Sequence, residues 1–190
     1  MSSNSNNNIQ NQVLSIVTKR RSGNQFDETR SLKESDINLL IEAARWAPSC
    51  YGEEPWRFIL CNKDTNKEAW DKLFNCLVEF NQGWAKNAPL LIVSLCKNNF
   101  TFNGQINSWG PYDTGAASMN LCNVACELGI MTHQMGGFDP IGVSKAFGIN
   151  EDYTVVSVIA VGYEVQNPTD ITERKRKPVE DIFFNGTFKN

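Results

Sequence analysis

The sequence predicts one domain of mixed helices and strands, and three observations carry that expectation. Apolar runs of strand length lie at 56–61, 89–96 and 155–163, bounded by turn residues. The segments between them have helical periodicity, but neither a regular β-α-β cadence nor a Gly-x-Gly-x-x-Gly turn of the dinucleotide-binding kind. At 190 residues and 41% apolar, the chain is long enough for one substantial core, and no internal repeat divides it. The domain is taken as 13–190, behind a Ser/Asn/Gln-rich leader at 1–12 that reads as disordered.

Element by element, 13–19 is a short helix leading into Arg20-Arg21-Ser22. Ser35 reads as an N-cap, and Leu39, Leu40, Ala43, Ala44 and Ala47 give a helical stripe that Pro48 ends. The turn that follows runs through small and polar residues to Pro55-Trp56, a shape suited to presenting backbone N–H groups and a hydroxyl. Residues 56–61 form a strand, 67–81 a second amphipathic helix, and 89–96 a buried strand, since the run is almost continuously apolar. Residues 98–111 mix Gly, Asn and aromatics without periodicity and read as a long loop. A helix at 113–128 is rich in small residues and stopped by Gly129. A short strand at 131–134 precedes Gly136-Gly137, then come a short helix at 139–147 and a core strand at 155–163. Near the end, Ile182, Phe183, Phe184 and Phe188 need burial, which a second subunit would supply.

Composition narrows the function. A net charge of −3 gives no basic excess for nucleic acid, so any phosphate recognition must be local. No run approaches the roughly 18 apolar residues of a membrane span, and the N-terminus lacks the apolar stretch of a signal peptide, so the expected location is the cytoplasm. None of the six cysteines forms a Cys-x-x-Cys pair. Cys122 and Cys126, one helical turn apart, read as packing on one face, and no metal is expected.

The polar segments carry the chemistry. Arg20, Arg21 and Ser22 offer two guanidinium forks and a hydroxyl, and 174–177 is a second basic cluster. Each alone reads as a solvated charge run, whereas convergence of the two would make a phosphate the natural explanation. Gly136-Gly137 lets backbone approach a flat ligand closely, or simply makes a turn. Tyr51, Trp56, Trp84 and Trp109 are stacking candidates, with core packing the better reading for Trp56. His133 is the only histidine and reads as structural, and no hydrolase elbow, Walker loop or zinc spacing occurs. Phosphate anchors and apolar planes without strong acid–base groups point to a cofactor that performs the chemistry.

With these segments laid out, the chain resembles the nitroreductase family of FMN-dependent oxidoreductases over nearly its whole length, about 13–184. The matching motifs include Arg20-Arg21-Ser22-Gly23-Asn24-Gln25-Phe26, Ala43-Ala44-Arg45-Trp46-Ala47-Pro48-Ser49 and Glu54-Pro55-Trp56-Arg57-Phe58. They continue with Asn87-Ala88-Pro89, Asp113-Thr114-Gly115-Ala116-Ala117, Gly136-Gly137-Phe138-Asp139, Val161-Gly162-Tyr163 and Arg176-Lys177-Pro178. The resemblance implies an α+β fold with a mixed, mostly antiparallel sheet flanked by helices. It also implies an intertwined homodimer, with FMN at the interface and the C-terminal segment embracing the partner. Arg20, Arg21, Ser22, Arg174 and Arg176 would hold the FMN phosphate and ribityl chain, with Asn24 beside them. Pro48, Ser49 and Cys50 would approach the flavin from the other subunit, and Asn81 would lie near its pyrimidine edge. The backbone of Gly136 and Gly137 would face N5 and O4, with no side chain acting as a catalytic group.

The implied activity passes hydride from NADH or NADPH through the flavin to a nitroaromatic, quinone or similar small acceptor in a ping-pong cycle. Departures from the family pattern are Asn24 and Trp84 where a basic residue is common, Gly52 for Asn, and Glu54 for Gln. They keep three alternatives in view: a flavin-binding or sensor module with little turnover, a same-fold dehydrogenase or dehalogenase, and an interaction protein without flavin.

Overall fold

A computed structural model of the chain describes residues 13–169 and 174–188; the expected leader at 1–12 lies outside them. Helices are α1 (Ser15–Lys19), α2 (Glu34–Arg45), α3 (Lys67–Asn75), α4 (Glu79–Ala85), α5 (Gly110–Glu127) and α6 (Pro140–Phe147). Strands are β1 (Trp56–Asn62), β2 (Leu90–Lys97), β3 (Met131–Met135) and β4 (Tyr153–Gly162). They form one sheet in the order β1-β2-β4-β3, and every pairing among them is antiparallel. This is the α+β architecture expected.

The apolar runs of β2 and β4 follow from burial on both sides. Leu91, Val93, Leu95, Val158 and Ala160 face a core with Trp70, Leu73 and Val143 from α3 and α6. Their neighbours Leu90, Ile92, Ile159 and Val161 face a second core with Ile37 and Leu40 of α2 and Ala117, Leu121 and Ala125 of α5. Helices α2 and α5 pack together on that face, where small residues let their backbones approach.

Three local expectations need correction. Ser35 is not the N-cap of α2, because the amides of Asp36 and Ile37 already donate to Lys33 O, which makes Lys33 the cap. The helix expected over 67–81 is two, α3 and α4, split where Leu77 bridges Phe138 and Val78 N donates to Gly137 O at 3.1 Å. The loop after β2 ends earlier than expected, at Trp109, with Pro111 in the first turn of α5.

Candidate functional site

The two basic segments converge. Helix α1 leaves the carbonyls of its last turn without helical partners, and the Arg174 guanidinium, 154 positions from Arg20, donates to Arg20 O and to Thr18 O. Val17, Thr18, Arg20, Met119 and 174–176 line one open cavity of about 900 Å³. A smaller cavity of about 150 Å³ is bordered by Lys19, Arg20, Arg21, Cys126 and Glu164. Burial, and then the charges of Arg176, Arg20 and Arg21, lower the Arg174 pKa below its ordinary value. Like charges held this closely repel one another, and an anion among them relieves the repulsion. Ser22 is exposed, with Oγ 3.5 Å from Arg20 Nη1. Arg21 is placed differently, because its guanidinium pairs with Glu164 just beyond β4.

A second group of expected residues gathers around β3. The 23–27 segment runs beside the end of β4, with Asp27 N donating to Tyr163 O at 2.8 Å and Val165 N to Gln25 O at 3.0 Å. His133 Nδ1 lies 3.0 Å from Gly23 O, so Nδ1 carries the proton that the carbonyl accepts. The Trp84 ring stacks on His133 at 4.4 Å between centroids and on Phe26 at 6.1 Å. One turn before Trp84 on α4, the buried Asn81 donates through Nδ2 to Gly137 O at 2.9 Å. Gly136 O accepts from Phe138 N at 3.2 Å. Both glycine carbonyls are thus engaged by the protein, which leaves the amides as the groups to offer a ligand. Gly137 has no room for a side chain: a Cβ there would lie 2.7 Å from Asn81 Nδ2 and 2.9 Å from Val78 Cγ2. Gly23 thus touches the aromatic stack through His133, and Asn81, on the helix that carries Trp84, ties Gly137 to the same region.

Burial lowers the His133 pKa, and the bond to Gly23 O only partly opposes that shift. A histidine depressed in the folded state binds fewer protons there than when unfolded, so stability rises with pH across its titration. We expect urea stability to be full above the ordinary histidine value of about 6.5 and to decline below it, with the decline flattened in His133→Asn.

Pro48, Ser49 and Cys50 occupy a separate turn. Cys50 N donates to the buried Asp113 Oδ2 at 2.9 Å, and Ser49 Oγ accepts from Glu54 N at 3.0 Å. Tyr51 and Glu54 hold positive φ, 54° and 48°, which tightens the turn at some strain. The turn is pinned to the start of α5, and its described hydrogen bonds do not reach Arg20, Asn81 or Gly137. Sequence reasoning missed Glu164, the tether of Asp113 to Cys50, and the Trp84–His133 stack, none of which leaves a local signal. Burial raises the Cys61 thiol to about 12 and pushes that of Cys122 up as well, so these two pack rather than react. Among the described residues no group of three His, Cys, Asp or Glu side chains is placed to hold a metal, and no helix is long and apolar enough to cross a membrane.

Residues 17–163 match the model of the nitroreductase family. A protein of Staphylococcus haemolyticus, provisionally named an NAD(P)H nitroreductase, is 26% identical over 92% of this chain and 97% of its own. The major NAD(P)H-flavin oxidoreductase of Aliivibrio fischeri is 21% identical over 90% of this chain and 96% of its own. Among solved structures, an oxidoreductase containing FMN superposes with a TM-score of 0.85 at 29% identity, over 93% of both chains.

Proposed function

The chain belongs to the nitroreductase family, and from that premise we propose that it is an FMN-dependent oxidoreductase that uses NADH or NADPH to reduce a nitroaromatic, quinone or similar small acceptor. The observation that carries this reading is the convergence of Arg20, Arg174 and Arg176 on one cavity, from segments far apart in sequence. The cations lining the cavity suit a phosphate such as that of FMN, and the backbone at 136–137 beside Asn81 would serve a flat ring. FMN, when bound, supplies the two-electron chemistry, accepting from the pyridine nucleotide and giving to the acceptor in a ping-pong cycle.

The protein's own residues bind and orient. Arg20, Arg174 and Arg176 hold the phosphate, and Ser22 and Asn24 serve the ribityl chain and the ring edge nearest it. Arg21, matched by Glu164, anchors the loop that carries them. Asn81 fixes Gly137 O, and the amides of Gly136 and Gly137 would face the ring's N5 and O4 side. The test is steady-state oxidation of NADH and NADPH with a panel of nitroaromatics and quinones; a protein that oxidises neither with any of them is not this enzyme.

A homodimer completes the reading, with Pro48, Ser49 and Cys50 of one subunit facing the cofactor of the other. It is supported by large apolar side chains left in solvent in the single chain: Trp46 is 74% exposed, Ile182 65%, Phe183 69% and Phe188 71%. We expect sedimentation to give a dimer and the double variant Phe183→Ser/Phe188→Ser to give monomer with FMN affinity lost alongside. All six cysteines are free, in keeping with a place in the reducing cytoplasm.

A further inference from the structure

The sheet face that α3 and α6 cover is left open at one end. From Val158 onward β4 is buried, but its first residues, Tyr153 to Ser157, are not. Ile149, just after α6, and Val155 pack against the core without being enclosed by it. Two cavities open there, of about 500 Å³ and about 240 Å³, and Ile149 and Tyr153 belong to the walls of both. The floor is apolar. Strand register sets Leu95 between Arg57 and Val155, so the apolar row ends on a guanidinium. Across the larger cavity, Pro140 and Ile141 of α6 form the wall, and Ile141 is 66% exposed.

Several polar side chains of the lining are already engaged. Ser144 Oγ donates to Pro140 O at 2.9 Å, and Thr154 Oγ1 donates to Asn98 Oδ1 at 2.7 Å. The Asn150 amide is held by Asp152, to whose Oδ2 it donates at 3.1 Å and from whose N it accepts at 3.2 Å. Arg57 uses Nη1 on Glu54 O and Trp56 O, at 3.0 and 2.7 Å, which leaves its other N–H groups. Arg57 and Lys145 are the charged residues of this lining, and no carboxylate belongs to it. Neither cation has an ion pair among the described residues.

We propose that this groove, between α6 and the start of β4, binds a small carboxylate with an apolar body. The body lies on Ile149, Val155 and Leu95, and the carboxylate meets Lys145. Two cations without facing acids favour an anion, and an apolar floor favours a body that gains by leaving water. Tyr153, common to both cavities, offers its ring to the body and its hydroxyl to the carboxylate. The larger cavity, about 500 Å³, falls within the roughly 300–1,000 Å³ that small-molecule sites occupy. The groove shares no lining residue with the cation-lined cavities at the end of α1, so it is a second site and does not rest on the FMN reading. Because the groove is open to solvent, only part of the ligand is buried, and a Kd of about 0.1–1 mM is expected for an eight-carbon acid.

The experiment titrates the full-length protein with sodium octanoate, with and without added FMN, and follows amide proton–nitrogen correlation spectra. Saturable shifts are expected at Ile149, Tyr153 and Val155, with the same Kd whether or not FMN is present. 1-Octanol, which has the same chain and no charge, is expected to bind more weakly. Lys145 is exposed, so its variants are expected to fold. Lys145→Gln is expected to raise the Kd about two- to fivefold, the weight of one exposed ion pair, and Lys145→Glu to raise it further. Ile141→Ser, at an exposed position of the wall, is expected to weaken octanoate and octanol alike. The proposal is overturned if octanoate gives no saturable shifts. It is equally overturned if the shifts centre on Arg20 and Arg174 and are displaced by FMN, if octanol binds as well as octanoate, or if Lys145→Glu binds octanoate as the wild type does. Failure to take up FMN defeats the proposed function and leaves this inference standing.

Discussion

Replacing Arg174 with alanine weakens FMN binding by about 10–100-fold, the loss expected when one charge-assisted contact of about 1.5–3 kcal/mol is removed. Arg174 sits where two distant basic segments meet: its guanidinium fastens the end of α1 while sharing a cavity with Arg20 and Arg176. The substitution therefore removes a cation and loosens Arg20 at once. Pairing it with Arg20→Ala lowers affinity further, and less than additively, because the two side chains share a ligand and a contact. Titration of the apoprotein with FMN at two salt concentrations checks this, since a phosphate held by cations binds more weakly as salt rises. Arg21→Ala provides the contrast. Its partner is Glu164, so the expected effect is on stability more than on the salt dependence of binding. Unchanged FMN affinity in Arg174→Ala would remove the phosphate from this cavity.

Gly137→Ala has the second large effect, a loss of about 1–3 kcal/mol in urea unfolding of the apoprotein, as for other overpacked sites. The new methyl would stand 2.7 Å from Asn81 Nδ2 and 2.9 Å from Val78 Cγ2. Neither neighbour gives way cheaply. Val78 is β-branched and stiff at χ1, and Asn81 is buried and can retreat only by giving up its bond to Gly137 O. The displaced backbone carries the amides proposed to face the ring, so FMN affinity is expected to fall as well. Asn81→Ala alone costs about 1 kcal/mol, because Val78 N still serves the same carbonyl. In the double variant part of the clash disappears, so the two losses do not add. A Gly137→Ala protein as stable as the wild type, with the same FMN affinity, would show that the close approach has no functional weight.

The core strands were legible because their signal is local. The apolar runs of β2 and β4 are almost continuous, and both faces of β2 and of the second half of β4 are buried. Gly129 ends α5 as its position suggested, with φ of 69°. The break between α3 and α4 was not legible, since Cys76, Leu77 and Val78 keep the apolar rhythm and contain neither Gly nor Pro. What interrupts the helix is a tertiary bridge from Leu77 to Phe138. The same distinction divides the site. Arg20 and Arg174 were recognisable as phosphate-type groups, but their meeting spans 154 positions. The pairing that occupies Arg21 spans 143 positions, and no local pattern announces a partner that far away. The role proposed for Pro48, Ser49 and Cys50 calls on a second subunit, and a single chain shows how Asp113 holds their turn.

The visible absorbance of the purified protein, recorded before and after anaerobic addition of NADH or NADPH, tests the central claim most directly. The account predicts a yellow protein, as purified or after addition of FMN, whose colour bleaches with at least one of the two nucleotides. A protein that is colourless and also takes up no added FMN would contradict it.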